Sequence, residues 1–308
     1  MKFLALTKRV KWGIRRGMSI LESLIMGLVE GLTEYLPVSS TGHLIITQYL
    51  LGMEDSDAMK AFEICIQGGA ILAVLGLYFQ RVAAMVRGVL GKDAAGFRML
   101  VNTVVAFLPA AVIGLLCNDY IKDYLFNAPT VMISWAVGGI VILLYVQARN
   151  KSGKGFGGAP LEQLTWKGAL GVGFMQCIAM CPGVSRSLMT MLGGLCVGLS
   201  VAAAVEFSFI LGLITLGAAT CHDAVKYGSH MVEDIGWGPM IAGTVMAWAS
   251  AWVAVKWMVG YLNKHSLAIF GWYRLAAAAV MLLLILNGLE VKADTEPAEE
   301  PQAAEVQE

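Results

Sequence analysis

Long apolar segments follow one another along most of this chain, and they constrain its fold more than any other feature. Only 14% of the 308 residues are Asp, Glu, Lys or Arg, whereas roughly 25% is typical of a soluble domain. The pattern therefore predicts an all-α integral membrane protein and argues against a water-soluble enzyme. Six segments have about the 20 residues that a helix needs to cross a bilayer, and they occupy 61–79, 98–117, 129–147, 202–221, 238–260 and 267–287.

Two further apolar regions, 19–52 and 166–199, are interrupted in the middle by Pro, Gly and hydroxyl residues. Irregular backbone at membrane depth is tolerated where it lines protein or a water-filled cavity. Each broken region is followed by three full-length segments. Because three is an odd number, the second half must enter the membrane in the opposite direction. The sequence thus predicts an inverted-topology repeat, with six transmembrane helices plus two re-entrant helix pairs and a site where the halves meet.

The repeat also has a weak signature in the residues themselves. A shift of 146 positions places Gly27 on Gly173, and it places the tripeptide 37–39 on 183–185. Both tripeptides lie where an apolar region breaks. The expected parts of the chain are a basic leader at 1–17, a first repeat at 18–148, a basic cytoplasmic linker at 149–165, a second repeat at 166–289 and a disordered acidic tail at 290–308.

The charges of the loops predict an orientation. Arg and Lys are concentrated in the linker and in the loop that follows 61–79, and such loops usually face the cytoplasm. Six spans then place both ends of the core on the outer side. The leader, which carries six bases and no acid, contradicts this orientation.

Glu30 and Glu34 lie four residues apart in the first broken region, so a helix places both carboxylates on one face. Gly27 and Gly31 share that side and would allow another backbone to approach. Adjacent carboxylates repel each other unless one is protonated or a cation lies between them. Because Mg²⁺ and Ca²⁺ prefer oxygen ligands, the two residues are candidate metal ligands. A pair at the water boundary, or a proton-coupled transport pair, is the alternative.

Hydroxyl residues and a histidine follow directly, as Ser39-Ser40-Thr41-Gly42-His43. A serine becomes a nucleophile when a base lies within reach, and His43 or a glutamate could serve. Ser39 and Thr41 are candidate substrate-binding groups. Helix capping is the alternative for the hydroxyls, since Ser and Thr are common N-cap residues.

The second break contains Arg186, a lone cation in a long apolar stretch. A guanidinium suits bidentate contact with phosphate, and the following helix N-terminus would add backbone N–H donors. The alternative is that Arg186 pairs with Glu30 or Glu34. The candidate substrate-binding residues around it are Gly183, Ser185, Ser187 and Thr190.

Other residues point to no additional site. The six cysteines form no zinc-like spacing, and no basic patch with interleaved aromatics indicates a nucleic-acid partner. Glu63, Glu206 and Lys256 lie near the ends of apolar segments, where boundary or snorkelling roles are expected. The combined inventory of the two breaks suits binding a metal-complexed phosphate and breaking a P–O bond.

At these motifs the chain resembles the undecaprenyl-diphosphate phosphatase family of bacteria, the integral-membrane type linked to bacitracin resistance. The resemblance covers about residues 18–288 and rests on two motifs: the first runs from Gly27 through Glu30, Glu34 and Pro37-Val-Ser-Ser-Thr-Gly-His43, and the second is Pro182-Gly-Val-Ser-Arg-Ser-Leu-Met-Thr190. It implies a multi-pass protein of the bacterial inner membrane that removes one phosphate from undecaprenyl diphosphate for cell-wall assembly. It also implies a divalent cation, and a site that opens toward the outer face.

The mechanism that we expect uses Glu30 and Glu34 as ligands of Mg²⁺ or Ca²⁺ and Arg186 to stabilise phosphoryl charge. Ser40 is the first candidate nucleophile, with Glu34 or His43 as its base, and direct attack by water is the rival. Membrane lipid is the expected surrounding partner, and self-association into a homo-oligomer is left open. Because inverted repeats and broken helices are also transporter architecture, a lipid-phosphate transporter is the alternative function.

Overall fold

The chain is helical throughout the part that the computed structural model describes, which is residues 18–53, 56–153, 157–227 and 235–289. Within these residues there are eleven α-helices and no strands. The predicted leader and acidic tail lie outside the described residues. The helices are α1 (Ile20–Thr33), α2 (Ser40–Leu51), α3 (Asp57–Leu77), α4 (Phe79–Val89), α5 (Ala94–Leu125), α6 (Ala128–Lys151), α7 (Trp166–Ile178), α8 (Arg186–Cys196), α9 (Val201–Tyr227), α10 (Trp237–Leu262) and α11 (Ala268–Leu286).

The six predicted transmembrane segments are confirmed as the six helices α3, α5, α6, α9, α10 and α11. Each is long and apolar enough to cross a membrane. Large apolar side chains remain exposed on their outer faces, where lipid rather than water is the favourable solvent. Examples of these exposed side chains are Leu115, Leu116, Leu144, Val253 and Leu283.

The two broken regions form the helix pairs α1–α2 and α7–α8. These helices have 14, 12, 13 and 11 residues, too few to cross a bilayer, which takes roughly 20. In α8 every residue from 187 to 195 is buried, so this helix lies inside the protein. The predicted fold class, an all-α membrane protein, is confirmed. That the second half runs through the membrane in the opposite direction stays a prediction.

Glycines allow the short helices to approach the long ones closely. A side chain at Gly27 would meet the carbonyl of Gly243 on α10, and one at Gly31 would meet Ser250 on the same helix. This confirms the expectation that the glycine face of α1 admits another backbone. In the second half, Gly173 abuts the carbonyl of Ala106 on α5 in the same way. The glutamates of α1 are therefore fixed against a long helix.

The segment after α3, which the sequence predicts to be a loop, contains α4. This helix is amphipathic, with Met85 buried and Arg81 turned toward two acids. The Arg81 guanidinium donates to Glu206 at 2.5 Å and to Glu162 in the linker at 3.1 Å. The pKa of Glu162 is held below its ordinary value by its own backbone N–H and by Arg81. The two basic connections thus lie at the same end of the helix bundle, as their charges predict.

Candidate active site

The loops that interrupt the two broken regions touch each other. The first loop joins α1 to α2, and the second joins α7 to α8. The hydroxyl of Ser187 donates to the carbonyl of Leu36 at 2.8 Å, which links the start of α8 to the first loop. The predicted convergence of the two motifs on one place is therefore observed, although they are about 150 residues apart in the chain.

An ion pair joins the two motifs at this junction. Arg186 Nη2 lies 3.1 Å from Glu34 Oε1, and the two side chains are 10% and 8% exposed. The sequence allows Arg186 to pair with Glu30 or Glu34, and in the structure its ion pair is with Glu34. The guanidinium also donates from Nη1 to the carbonyl of Ser208 at 3.0 Å and lies 5.5 Å from the ring centroid of Tyr35. Three contacts, two from the first loop and one from α9, therefore fix the direction of Arg186.

The second oxygen of Glu34 accepts a hydrogen bond from Ser40. The distance from Ser40 Oγ to Glu34 Oε2 is 2.6 Å, and both residues are buried. A carboxylate at hydrogen-bond distance from a hydroxyl is in position to take its proton. Among the candidate nucleophile–base pairs, the structure brings Ser40 and Glu34 together.

Both loops turn through an unusual backbone conformation at a serine. Ser39 has φ 71° and Ser185 has φ 79°, and each immediately precedes the first residue of a short helix. Positive φ is uncommon for residues with a side chain, and such strain clusters at functional sites. These two serines occupy matching positions in the halves. The turn starts α2 at Ser40 and α8 at Arg186, so the first turn of each helix carries a candidate catalytic group.

The hydroxyl groups of the second motif make hydrogen bonds within the protein that stabilise the second loop and the start of α8. Ser185 caps α8 by accepting from Leu188 N at 3.3 Å and lies 2.9 Å from the Ser187 hydroxyl. Thr190 donates to the carbonyl of Arg186 at 2.9 Å and lies 2.6 Å from the Ser208 hydroxyl. Their predicted role in substrate binding stays a prediction. In this structure they secure the backbone that carries Arg186.

The remaining candidate binding residues surround the junction. Gly183 has φ 85° and packs against the backbone of Val131, so a side chain there would be both strained and crowded. Ser39 is buried, and Thr41 is partly exposed. Within the described part of the chain, the hydroxyls of Ser39 and Thr41 make no hydrogen bond, which leaves them available to a ligand.

His43 is directed away from Ser40. Its Nδ1 lies 2.7 Å from the carbonyl of Ser39, and its Nε2 lies 2.7 Å from the hydroxyl of Tyr273. A carbonyl only accepts, so Nδ1 carries the proton and Nε2 accepts from the tyrosine. The ring also stacks on Tyr273, with centroids 5.6 Å apart. Both ring nitrogens are thus engaged, and this arrangement favours Glu34 over His43 as the base for Ser40.

Glu30 is buried close to two other acids, Glu34 and Glu63, and to the charge of Arg186. Only 2% of the residue is exposed, and it forms neither a hydrogen bond nor an ion pair with the residues that the structure describes. A buried charge needs a partner, because desolvation is costly. Two carboxylates fit a hard divalent cation that takes its other ligands from phosphate and water. No group of three or more acidic, His or Cys side chains suited to a metal is found among the described residues.

Several residues of the site lie outside the two motifs and were not predicted. The backbone carbonyl of Ser208, on α9, accepts a hydrogen bond from Arg186. The hydroxyl of Tyr273, on α11, donates a hydrogen bond to His43. Arg274, next to Tyr273, is completely buried and contacts both loops. A signal for Arg274 was present, since a charge inside an apolar span usually marks function. The two hydroxyl residues carry no comparable signal.

Comparison with known proteins places this geometry in a family. A family model described as bacitracin resistance protein BacA matches residues 23–280. The chain belongs to the BacA family. The matched range includes both loops and every candidate residue of the site.

Curated relatives extend over nearly the same range. Undecaprenyl-diphosphatase 1 of Chromobacterium violaceum is 42% identical over 271 residues, which is 88% of this chain and 98% of the relative. Undecaprenyl-diphosphatase 2 of Rhodospirillum rubrum is 42% identical over 270 residues, covering 88% and 96% of the two chains. Undecaprenyl-diphosphatase of Nitrosomonas europaea is 41% identical over 271 residues, covering 88% and 96%. BacA membership and the six apolar helices make this a multi-pass integral membrane protein.

The burial of Glu30 without a hydrogen bond or ion pair predicts how its replacement changes the stability of the protein. Glu30→Gln should raise the free energy of unfolding in chelator by about 1–3 kcal/mol, because the amide avoids the cost of keeping an acid, either ionised or protonated, in a buried position next to Glu34. Thermal unfolding of the purified protein in detergent measures the effect. Glu206→Gln is the matched control and should be destabilising, since Glu206 has Arg81 as its partner. A loss of stability in Glu30→Gln equal to that of the control would contradict the prediction.

Proposed function

We propose that this protein hydrolyses undecaprenyl diphosphate to undecaprenyl phosphate and inorganic phosphate, and so recycles the lipid carrier for peptidoglycan synthesis. The observation that carries the proposal is the contact of Ser40, Glu34 and Arg186 at the junction of the two loops. A nucleophile, its base and a phosphate-binding cation lie together there. The names of the BacA relatives support the same substrate.

The first step is attack by Ser40 Oγ on the terminal phosphorus. Glu34 Oε2 takes the hydroxyl proton, the anhydride P–O bond breaks, and the electron pair of that bond leaves with the lipid monophosphate. Water then attacks the phosphoserine, the bond between Ser40 Oγ and phosphorus breaks, and Glu34 returns its proton to Oγ. Inorganic phosphate leaves with the two protons of the water molecule. The 2.6 Å hydrogen bond supports this route. The rival is direct attack by water on the phosphorus, with a carboxylate as base.

Arg186 neutralises the charge on the phosphoryl oxygens. Its guanidinium is held by Ser208 and Tyr35 as well as by Glu34, so it is oriented before substrate arrives. Preorganised donors of this kind contribute because they need no rearrangement during the reaction. The Arg186 Nε atom is buried without a hydrogen-bond partner. That free donor is available to a phosphate oxygen.

A divalent cation, Mg²⁺ or Ca²⁺, is part of the proposal, with Glu30 and Glu34 as its protein ligands. When bound, it would supply positive charge that offsets the negative charge of the diphosphate. Glu30 is suited to this role because its buried carboxylate makes no hydrogen bond or ion pair of its own in the described structure. Glu34 divides its two oxygens between Arg186 and Ser40, which leaves Glu30 as the main ligand.

The location that we propose is the bacterial inner membrane, with the site facing the periplasmic side. The basic connections on α4 and in the linker support a cytoplasmic position for the end of the bundle that carries them. The isoprenoid chain would lie against the apolar, lipid-exposed helices. Self-association remains an additional expectation.

The alternative, a lipid-phosphate transporter, is not favoured by the comparisons, since the relatives are named diphosphatases. The two functions differ in a detergent solution, where there is no membrane to cross. A phosphatase releases inorganic phosphate in that medium. A transporter moves labelled lipid across a vesicle and releases none.

The proposed function predicts phosphate release from undecaprenyl diphosphate by the detergent-purified protein. Release should stop in chelator and return with Mg²⁺ or Ca²⁺. Arg186→Ala and Glu34→Ala should each lower kcat at least about 100-fold, because they remove a charge that acts on the reacting phosphate. A colorimetric phosphate assay measures all of these.

Lys256→Ala is the control, since Lys256 lies on α10 against Trp252, outside the two loops. It should retain full activity. Absence of phosphate release by the unmodified protein, together with lipid movement in vesicles, would overturn the phosphatase proposal. Full activity of Arg186→Ala or Glu34→Ala would remove that residue from the mechanism.

The choice of Ser40 as nucleophile predicts a covalent intermediate. Rapid acid quench during turnover should trap phosphate on Ser40, detectable by mass spectrometry of the peptide that contains it. Ser40→Ala should lose both the adduct and nearly all activity. If the adduct is missing while Ser40→Ala retains much of its activity, water is the nucleophile.

A further inference from the structure

Arg274 on α11 is the one residue in the described structure that donates hydrogen bonds to both loops. It is completely buried. Its Nη1 donates to the carbonyl of Pro37 at 3.3 Å. Its Nη2 donates to the carbonyl of Gly183 at 2.8 Å and to that of Ser134, on α6, at 2.9 Å. One planar guanidinium therefore connects the first loop, the second loop and a long helix.

The two loop carbonyls occupy matching positions in the halves. Pro37 and Gly183 are related by the shift of 146 residues. Each lies two residues before a serine with positive φ, and each serine is followed by a candidate catalytic group, Ser40 or Arg186. The guanidinium thus holds equivalent points of two loops whose backbone is strained. Without that restraint, each turn would be free to relax toward a commoner conformation.

The surrounding packing is adapted to the arginine. Gly138 on α6 faces the guanidinium, and a side chain at that position would collide with it. The charge has no carboxylate partner within the described residues; it is met by three carbonyl dipoles, and Nε has no hydrogen bond. An unpaired charge inside a membrane protein is expensive and is usually functional. Apolar packing alone would be better served by leucine or methionine.

We propose that Arg274 is a positioning residue, which locks the first loop against the second so that Ser40, Glu34 and Arg186 address the same phosphate. This inference rests on the proposed phosphatase function for its catalytic part. Arg274 does not contact the reacting atoms. Its effect is geometric, because an error of about 1 Å in a catalytic arrangement can cost about 100-fold in rate.

The test compares Arg274→Met and Arg274→Lys with Arg81→Met. The control removes an arginine that also bridges separate segments, through Glu162 and Glu206, but lies away from the loops. Hydrogen–deuterium exchange of the full chain in detergent reports loop order without reference to activity. In Arg274→Met, the amides of both loops should exchange at least about tenfold faster, the factor expected for a lost charge-assisted hydrogen bond. In Arg81→Met they should not change.

Kinetics supply the second readout. Arg274→Met should lower kcat about 100-fold with little change in KM, whereas Arg81→Met should keep its kcat. Arg274→Lys retains the charge and reaches fewer carbonyls, so it should recover part of the rate and part of the loop protection. If Arg274 contributed only to folding stability, Arg274→Met and Arg81→Met would have similar kcat values when the two variants unfold at similar temperatures.

The outcomes separate this inference from the function on which it rests. Unchanged exchange in both loops of Arg274→Met overturns the positioning role, whatever the enzyme does. Faster loop exchange with full kcat also overturns it. If the unmodified protein releases no phosphate, the proposed function fails, and the exchange data still decide whether Arg274 orders the loops.

Discussion

The buried ion pair between Glu34 and Arg186 is the interaction on which the rest of the site depends. It connects helices that are about 150 residues apart in the chain, in a region where water is scarce. A buried pair is a poor source of net stability, because the loss of hydration offsets the attraction. Here the pair matters because it orients the groups of the site. The Glu34 carboxylate that pairs with Arg186 also accepts a hydrogen bond from the Ser40 hydroxyl.

The two halves of the protein have similar geometry but contribute different chemical groups to the site. Each has a pair of short helices, a loop with a positive-φ serine, and a glycine that abuts a long helix. The first half supplies carboxylates and the proposed nucleophile, Ser40, and the second supplies a cation, Arg186. A diphosphate bound at their junction, as we propose, would meet carboxylates from one half and a guanidinium from the other. This asymmetry suits a reaction in which one phosphate leaves with the lipid and the other is transferred.

The parts of this structure that follow from local sequence were predictable. The six spans are visible in the apolar segments, because the length of each is set by the thickness of the bilayer. The pairing of Arg186 with an acid was also foreseeable, since charges in apolar segments seek partners. The helix α4 was missed because its pattern is amphipathic and short, and so resembles a basic loop. Four of the long helices, α5, α6, α9 and α10, also extend beyond the predicted segments at both ends, because a helix can continue past the end of its apolar stretch.

The contacts that helices outside the two motifs make with the site were not predictable. His43 stands beside Ser40 in the sequence, yet α11 turns it toward Tyr273. Thr190 is a candidate substrate-binding residue, and the approach of α9 places the Ser208 hydroxyl 2.6 Å from its own. Arg274 is joined to its loop partners across 237 and 91 residues. In each case the decisive neighbour is supplied by packing, which no spacing within a motif encodes.

A double-mutant cycle of unfolding between Glu34 and Arg186 tests the central claim most directly. With Glu34→Gln and Arg186→Met, each single variant leaves one buried charge without its partner, at a cost of about 3–5 kcal/mol. The double variant should therefore be more stable in detergent than either single one. Glu206→Gln combined with Arg186→Met gives the reference, with effects that add. If the losses of the Glu34 and Arg186 variants also simply add, the two loops do not meet as described.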